Sequence, residues 1–381
     1  MQHVNSGTQK NTSSWQEIAQ SLSTQFAVTA QQHDDNDSFV ADNFNTLKQH
    51  KLFSACVPGE LGGGGASYAE FCDVLRIIAQ GCGSTALSLS MHSHLLAANV
   101  WKHSKGQPVE GLLKRVANEQ LVLISTGASD WLHASGTAEK VEGGFKVNGR
   151  KVFASGSPAG EVLITSAVYD DPDEGSTVIH FPVPFSAEGL TMTDTWKAMG
   201  MRGTGSNDIQ LTDIFVPEES IALRRKQGQW HPFFNVVTSV AMPYIVSVYL
   251  GVAEAAAAMT REKIQFKKHD PHLPYLLGEM ETLLTTAQIA WREMVALNDE
   301  FKFDPSNLTA SKMFQCKTIA ANAIIACVEK CLETVGGGGF FRDMGLERLL
   351  RDAHGIQFHP IPEKRQHHFT GSVTLDIPPL G

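Results

Sequence analysis

The densest run of groups able to hold a ligand is Asp194-Thr195-Trp196-Lys197-Ala198-Met199-Gly200-Met201-Arg202-Gly203-Thr204-Gly205-Ser206-Asn207-Asp208. Gly200, Gly203 and Gly205 punctuate a loop that needs unusual backbone angles. Ser206 and Asn207 carry side chains that can bond their own backbone. The chemistry available there is recognition through main-chain N–H and hydroxyl groups brought close to a bound ligand. A plain β-turn has the same composition, and both readings stand at this level. Two common kinds of site are absent. No GxGxxG follows a strand and opens a helix, so a dinucleotide must be held without the Rossmann fingerprint. The six cysteines (Cys56, Cys72, Cys82, Cys316, Cys327 and Cys331) form no CxxC pair. Cys327 and Cys331 lie one helical turn apart without further ligands nearby, so no metal is expected. Six buried thiols in a reducing compartment is the expectation.

The elements that must position these groups change texture twice along the chain. Trp15–Ala30, Ser38–His50, Tyr68–Ala79 and Ser84–Trp101 carry apolar residues at helical spacing. The glycine-rich loop Pro58–Gly65 interrupts them. From Leu121 the chain reads as short β-branched runs, among them Leu121–Ile124, Phe145–Val147, Lys151–Phe153, Val162–Thr165, Thr177–Phe181 and Ile209–Leu211. Gly, Asp and Asn turns separate them, including a hairpin at Glu142–Gly149, as in an antiparallel barrel or sandwich. The helical period returns at about Trp230. Asn235–Phe266, Pro274–Phe301, Thr309–Val335 and Met344–Phe358 are expected to form a four-helix bundle, with Gly336–Gly339 breaking the last two. The fold class is therefore α+β. An N-terminal helical domain spans 1–120, a middle β-domain 121–228 and a C-terminal four-helix bundle 229–381.

A length of 381 residues suits two or three domains, and 42% hydrophobic residues suffice for a large core. The net charge of −9 is interspersed, with no basic run to follow a nucleic acid. The N-terminus has no basic patch leading into an apolar stretch, and a cytoplasmic location is expected. Ser239–Met259 is the longest apolar run. It contains Pro243, Tyr244, Tyr249 and Glu254, and a carboxylate near a helix centre costs about 2.5–3.5 kcal/mol of insertion energy, so a buried helix is expected rather than a membrane span.

The order of residues in Trp196–Asp208, with its exit at Val216-Pro217, resembles the acyl-CoA dehydrogenase superfamily. It is most similar to the flavin-dependent monooxygenase branch, which includes aromatic hydroxylases and dibenzothiophene monooxygenase. Val57-Pro58-Gly59-Glu60-Leu61-Gly62-Gly63 resembles a second signature of that superfamily. The resemblance covers nearly the whole chain and implies the acyl-CoA dehydrogenase-like architecture, with a flavin ring against the β-domain. It further implies a cofactor whose far half reaches a neighbouring subunit, hence a homotetramer.

Several cofactor residues follow from the resemblance. Ser125, Thr126 and Ser129 lie in Ile124-Ser125-Thr126-Gly127-Ala128-Ser129-Asp130, like the family loop that meets the pyrophosphate. Phe153 and Ser155 match the strand that packs an aromatic ring and a hydroxyl on the flavin, and Trp196 precedes the glycine loop. Gly336 and Gly337 match the turn that receives the far half. Lys263 stands where the family has an Arg, with Phe266 three residues on, and Glu333 replaces a Gln; both family residues hold the adenosine of FAD. FAD is the expected cofactor, with FMN open.

For the reaction, the resemblance implies two alternatives. Acyl thioester dehydrogenation needs a carboxylate base, but Pro360 occupies the matching position, and Glu363 is a displaced candidate. His359 and His92 fall where the monooxygenase branch carries histidines, which can donate a hydrogen bond to bound oxygen and later move a proton. The leaning is to a two-component monooxygenase using externally reduced flavin and O2 on a small-molecule substrate. Its partner would be a flavin reductase, or an electron-transfer flavoprotein in the dehydrogenase alternative.

Overall fold

The computed structural model describes residues 14–126, 130 and 132–379. Helices α1 (Trp15–Asp35) and α3 (Tyr68–Gly81) each begin at a reciprocal cap. Ser14 and Ser67 accept the N–H of Glu17 and Glu70, and those carboxylates accept the serine N–H in return. Helices α2 (Ala41–Gln49), α4 (Gly83–Ser104) and α5 (Glu110–Glu119) complete the N-terminal part. The sequence expectation omits α5, which is short and shows only Leu113, Val116 and Ala117 to the core.

Strands β1 (Leu123–Ser125), β2 (Thr137–Val141), β3 (Gly144–Ala154), β4 (Val162–Asp171), β5 (Gly175–Pro184), β6 (Leu190–Thr193), β7 (Asn207–Pro217) and β8 (Leu223–Lys226) make one sheet. Its order is β6-β7-β3-β2-β4-β5-β8, with β1 beside β4. The expected antiparallel pairing holds except at β4, which pairs in parallel with both β1 and β2. Those two strands occupy the same edge of β4 in succession: Ser125 faces Ile164, and Thr137 faces Val168.

Helix α6 (Phe233–Lys263) is the axis of the C-terminal part. It is long and apolar enough to cross a membrane, but its most apolar window is 94% buried inside the protein. Pro243 lies within it and cannot donate to the Ser239 carbonyl one turn back. Asn298 Nδ2 supplies that bond at 2.7 Å. Helices α7 (Leu273–Ala296) and α8 (Asn307–Val335) pack on α6, while α9 (Leu346–His354) and α10 (Glu363–Thr374) are short. The expected fourth long helix, Met344–Phe358, is thus cut to α9 and a tight turn at Gly355–Phe358. One continuous core joins the N-terminal helices, the sheet and α6. All six cysteines are buried free thiols.

Candidate active site

The end of β3, the Trp196–Met201 loop, α4, α6 and the segment after α9 converge on a cavity of about 540 Å³. On the sheet side, the pairing of β3 with β7 slips between Lys151 and Ala154, where three steps on β3 oppose two on β7. This bulge throws Phe153 into the left-handed region at φ 63°, a conformation that costs a bulky residue on the order of 1–3 kcal/mol. The outcome is an aromatic ring turned out of the sheet, 58% exposed, with Trp196 edge-on to it at 6.0 Å. Beside them, the Ser155 hydroxyl meets Ser206 Oγ at 2.7 Å, and Ser206 meets Thr204 Oγ1 at 2.7 Å.

The loop is fixed at both ends. Asn207 Oδ1 accepts the N–H groups of Thr195 and Trp196 at 3.1 Å each, and Trp196 Nε1 donates to the Met201 carbonyl at 3.1 Å. Its tip docks on α9, where a side chain at Gly200 would strike the Arg351 carbonyl at 2.3 Å. The buried Asp352 carboxylate accepts the Met201 N–H there, and burial pushes Asp352 up to about 6.

On the helical side, His359 Nε2 lies 2.8 Å from the Tyr249 hydroxyl. The Lys317 ammonium donates to the His359 carbonyl at 3.2 Å. Burial, reinforced by Lys317 and His94, pushes His359 down to about 3, so its ring is neutral near pH 7. His94 also lines the cavity; its Nδ1 is buried without a hydrogen-bond partner. Burial, opposed by the Ser90 carbonyl one turn back, brings His94 down to about 4.

The cavity thus gathers Ser125, Thr126, Phe153, Ser155, Trp196 and His359 from the residues named by sequence. Ser129 lies outside the described residues. The expectation for His92 is corrected. Its Nδ1 accepts the Leu123 N–H at 3.0 Å, and its Nε2 faces the Phe53 carbonyl at 2.8 Å, so both nitrogens are used within the core. His94, two residues on, takes the cavity position. The expectation for Glu363 is corrected as well: exposed at the start of α10, it contacts His367 at 3.1 Å and does not line the cavity. Lys263, Phe266, Glu333, Gly336 and Gly337 are all exposed and do not line it either. Lys263 lies fourteen residues beyond Tyr249 on α6, roughly 20 Å along the axis. Tyr249 and His94 escaped the sequence reading. Among the described residues, no cluster of His, Cys, Asp and Glu comes together to hold a metal.

Four buried imidazoles make a prediction for stability. Burial depresses His92 and His94 to about 4, and His180 and His359 to about 3. An unfolded imidazole takes its proton near 6.5, so below that pH the unfolded chain binds protons that the folded chain refuses. Stability is full above 6.5 and is lost as pH falls toward 3–4. Asp352 works in the opposite direction, one group against four. The urea midpoint should rise slightly between pH 7 and 8, where buried Lys317, held down to about 8, sheds its proton, and fall steadily from 6.5 to 4.5; a flat profile from 6.5 to 4.5 would contradict this account.

An aromatic pair with an exposed face, a chain of hydroxyls and an unpartnered imidazole nitrogen together fit a planar heteroaromatic ring with polar edges, as a flavin has. Comparison with known proteins agrees. The acyl-CoA dehydrogenase N-terminal, middle and C-terminal domain models match residues 9–120, 125–214 and 244–363. The chain is 26% identical to cyclohex-1-ene-1-carbonyl-CoA dehydrogenase of Syntrophus aciditrophicus, over 92% of this chain and 86% of that protein. It is 25% identical to dibenzothiophene monooxygenase of Rhodococcus erythropolis, over 90% and 88%. The solved structure of KijD3 in complex with FMN and a dTDP-linked amino sugar superposes with a TM-score of 0.84 at 24% identity, covering 96% of this chain and 95% of that one. With all three domains matched in order around this cavity, the chain belongs to the acyl-CoA dehydrogenase superfamily and is a flavin-dependent oxidoreductase.

Proposed function

We propose that this protein is the oxygenase of a two-component system, taking up FMN already reduced by a separate flavin reductase and using O2 to oxidise a small molecule. The observation that carries this reading is the cavity lining, which among the described residues includes no carboxylate. Dehydrogenation of a thioester requires a base to take the α-proton. Pro360 offers no base, burial holds the His359 ring down to about 3 and leaves it a poor proton acceptor, and Glu363 is turned to His367. The dibenzothiophene monooxygenase relative lends the reaction class further support.

Reduced flavin, when bound, supplies the electrons that activate O2. The residues of this chain orient and donate. Phe153 and Trp196 present an aromatic face, and Ser155 offers a hydroxyl. In this reading the Tyr249 hydroxyl, 2.8 Å from His359 Nε2, donates to it, so that the imidazole carries its proton on Nδ1 and offers it as a donor at neutral pH. His94 is a second neutral imidazole on the same cavity. FMN is favoured over the FAD expected from sequence. Lys263 and Glu333 replace the family residues that grip adenosine, and Glu333 is paired with Lys330 at 2.6 Å. The FMN complex of KijD3 points the same way.

The test is direct. Flavin-loaded protein, held anaerobically with acyl-CoA thioesters from short to long chain, should keep its oxidised absorbance. The same protein should consume O2 when supplied with NADH and a flavin reductase. Bleaching by a thioester that Glu363→Gln abolishes would overturn the proposal in favour of acyl-CoA dehydrogenation.

A further inference from the structure

The lining also bears on what the cavity admits beside the flavin. Among the described residues that line it, only Arg351 carries a permanent charge. A guanidinium has five N–H donors, and each one here is occupied. Nε and one Nη2 proton go to Glu347 at 2.6 and 3.0 Å, while one proton each of Nη1 and Nη2 goes to Asp34 at 3.0 and 2.6 Å. The remaining Nη1 proton goes to the Met199 carbonyl at 2.9 Å. Asp34 is buried, so the guanidinium cannot swing away without stranding a carboxylate. The two imidazoles are neutral, and burial holds the Tyr249 phenol well above its ordinary range. Most of the remaining wall is apolar, with Leu87, Met91, Ala241, Ile245, Phe358 and Pro360 prominent, and its other polar side chains, the hydroxyls of Ser125, Thr126, Ser155 and Ser206 and the Gln357 amide, are uncharged. A charged substrate group would leave water here and meet no opposite charge.

From this lining, and resting on the oxygenase reading, we infer that the substrate is an uncharged, predominantly apolar molecule, compact enough to share the cavity with the flavin ring. The neutral imidazoles His94 and His359 orient it through a single polar or oxidisable atom. Carboxylates, sulfinates and phosphorylated compounds are excluded from the reacting end.

Binding to flavin-free protein tests this without any turnover, so failure here is distinguishable from failure of the oxygenase reading. Calorimetry at pH 7.5 would compare 2-naphthol, 2-naphthoate and 2-naphthylmethylammonium, three probes of one shape and different charge. The neutral probe is expected to bind about a hundredfold tighter than either ion. Met199→Arg, which sets a new cation at the rim on an exposed loop position, should raise the affinity for 2-naphthoate relative to 2-naphthol. If either ion binds wild-type protein as tightly as 2-naphthol, or if none of the three binds, the inference is wrong. Ordinary O2 consumption by reduced-flavin protein alongside such a result would mean that only the substrate class was misread.

Discussion

His359→Ala should lower the rate of substrate oxygenation by roughly 10²- to 10⁴-fold, the range that a positioned acid–base group supplies, while flavin affinity stays within a few-fold of wild type. The asymmetry follows from where the residue sits. His359 reaches the cavity through a segment held by Lys317 at its carbonyl and by Tyr249 at its ring, apart from the Phe153 and Trp196 side proposed to receive the flavin. Removing the imidazole deletes a donor without disturbing that aromatic face. Tyr249→Phe keeps the imidazole but leaves its Nε2 unpartnered, a loss of about 1–3 kcal/mol, so its effect should be smaller, near tenfold. Product yield per O2 consumed, with reduced flavin supplied in excess, separates these cases: His359→Ala should consume oxygen without product. Full coupling in that variant would remove His359 from the chemistry.

Lys151→Met is expected to destabilise the fold by about 3–5 kcal/mol, the cost of leaving one partner of a buried ion pair alone. Lys151 is fully buried and donates to Asp130 Oδ2 at 2.9 Å, to Ser135 Oγ at 3.1 Å, and to the Ser135 and Ser166 carbonyls. Asp130 in turn accepts the Ser135 N–H at 3.0 Å and hydroxyl at 2.9 Å. A thioether can satisfy none of these acceptors. Against a total stability of about 5–15 kcal/mol for a typical domain, the loss should be visible as a large drop in the urea midpoint at unchanged slope. Adding Asp130→Asn should recover part of it, because the stranded charge is gone. A loss under about 1 kcal/mol would show that water reaches the carboxylate.

Much of this was readable from residue order. The helical, β, helical succession follows from apolar spacing that changes period at Leu121 and again near Trp230. The glycine spacing from Gly200 to Gly205 marked the loop that walls the cavity, and Phe153, Ser155 and His359 were reachable by likeness of short segments. What stayed hidden depends on facing. His92 and His94 lie about 200° apart around one helix, and α4 is buried on nearly every side, so no polar stripe says which imidazole looks inward. Tyr249 is masked in the same way on α6, where apolar residues run all round. Lys151 reads as an ordinary strand lysine until β2–β4 close around it. The saturation of Arg351 requires Asp34, which is 317 positions away.

The shared edge of β4 has a consequence for how such a protein can change. Ser125 and Thr137 are pinned opposite Ile164 and Val168, so the chain leaves the sheet and re-enters it four positions apart on one strand, about 13 Å. Between those anchors the chain is tied down at Asp130 and Ser135, which hold Lys151, and at the Leu132 carbonyl, which accepts from Arg225. Outside those ties its length can drift without shifting the register of any other strand, because both gateposts belong to the same rail. A lineage could therefore lengthen or shorten this excursion and leave every strand in register, provided the clasp on Lys151 survives, with the aromatic face and the imidazoles kept where they stand.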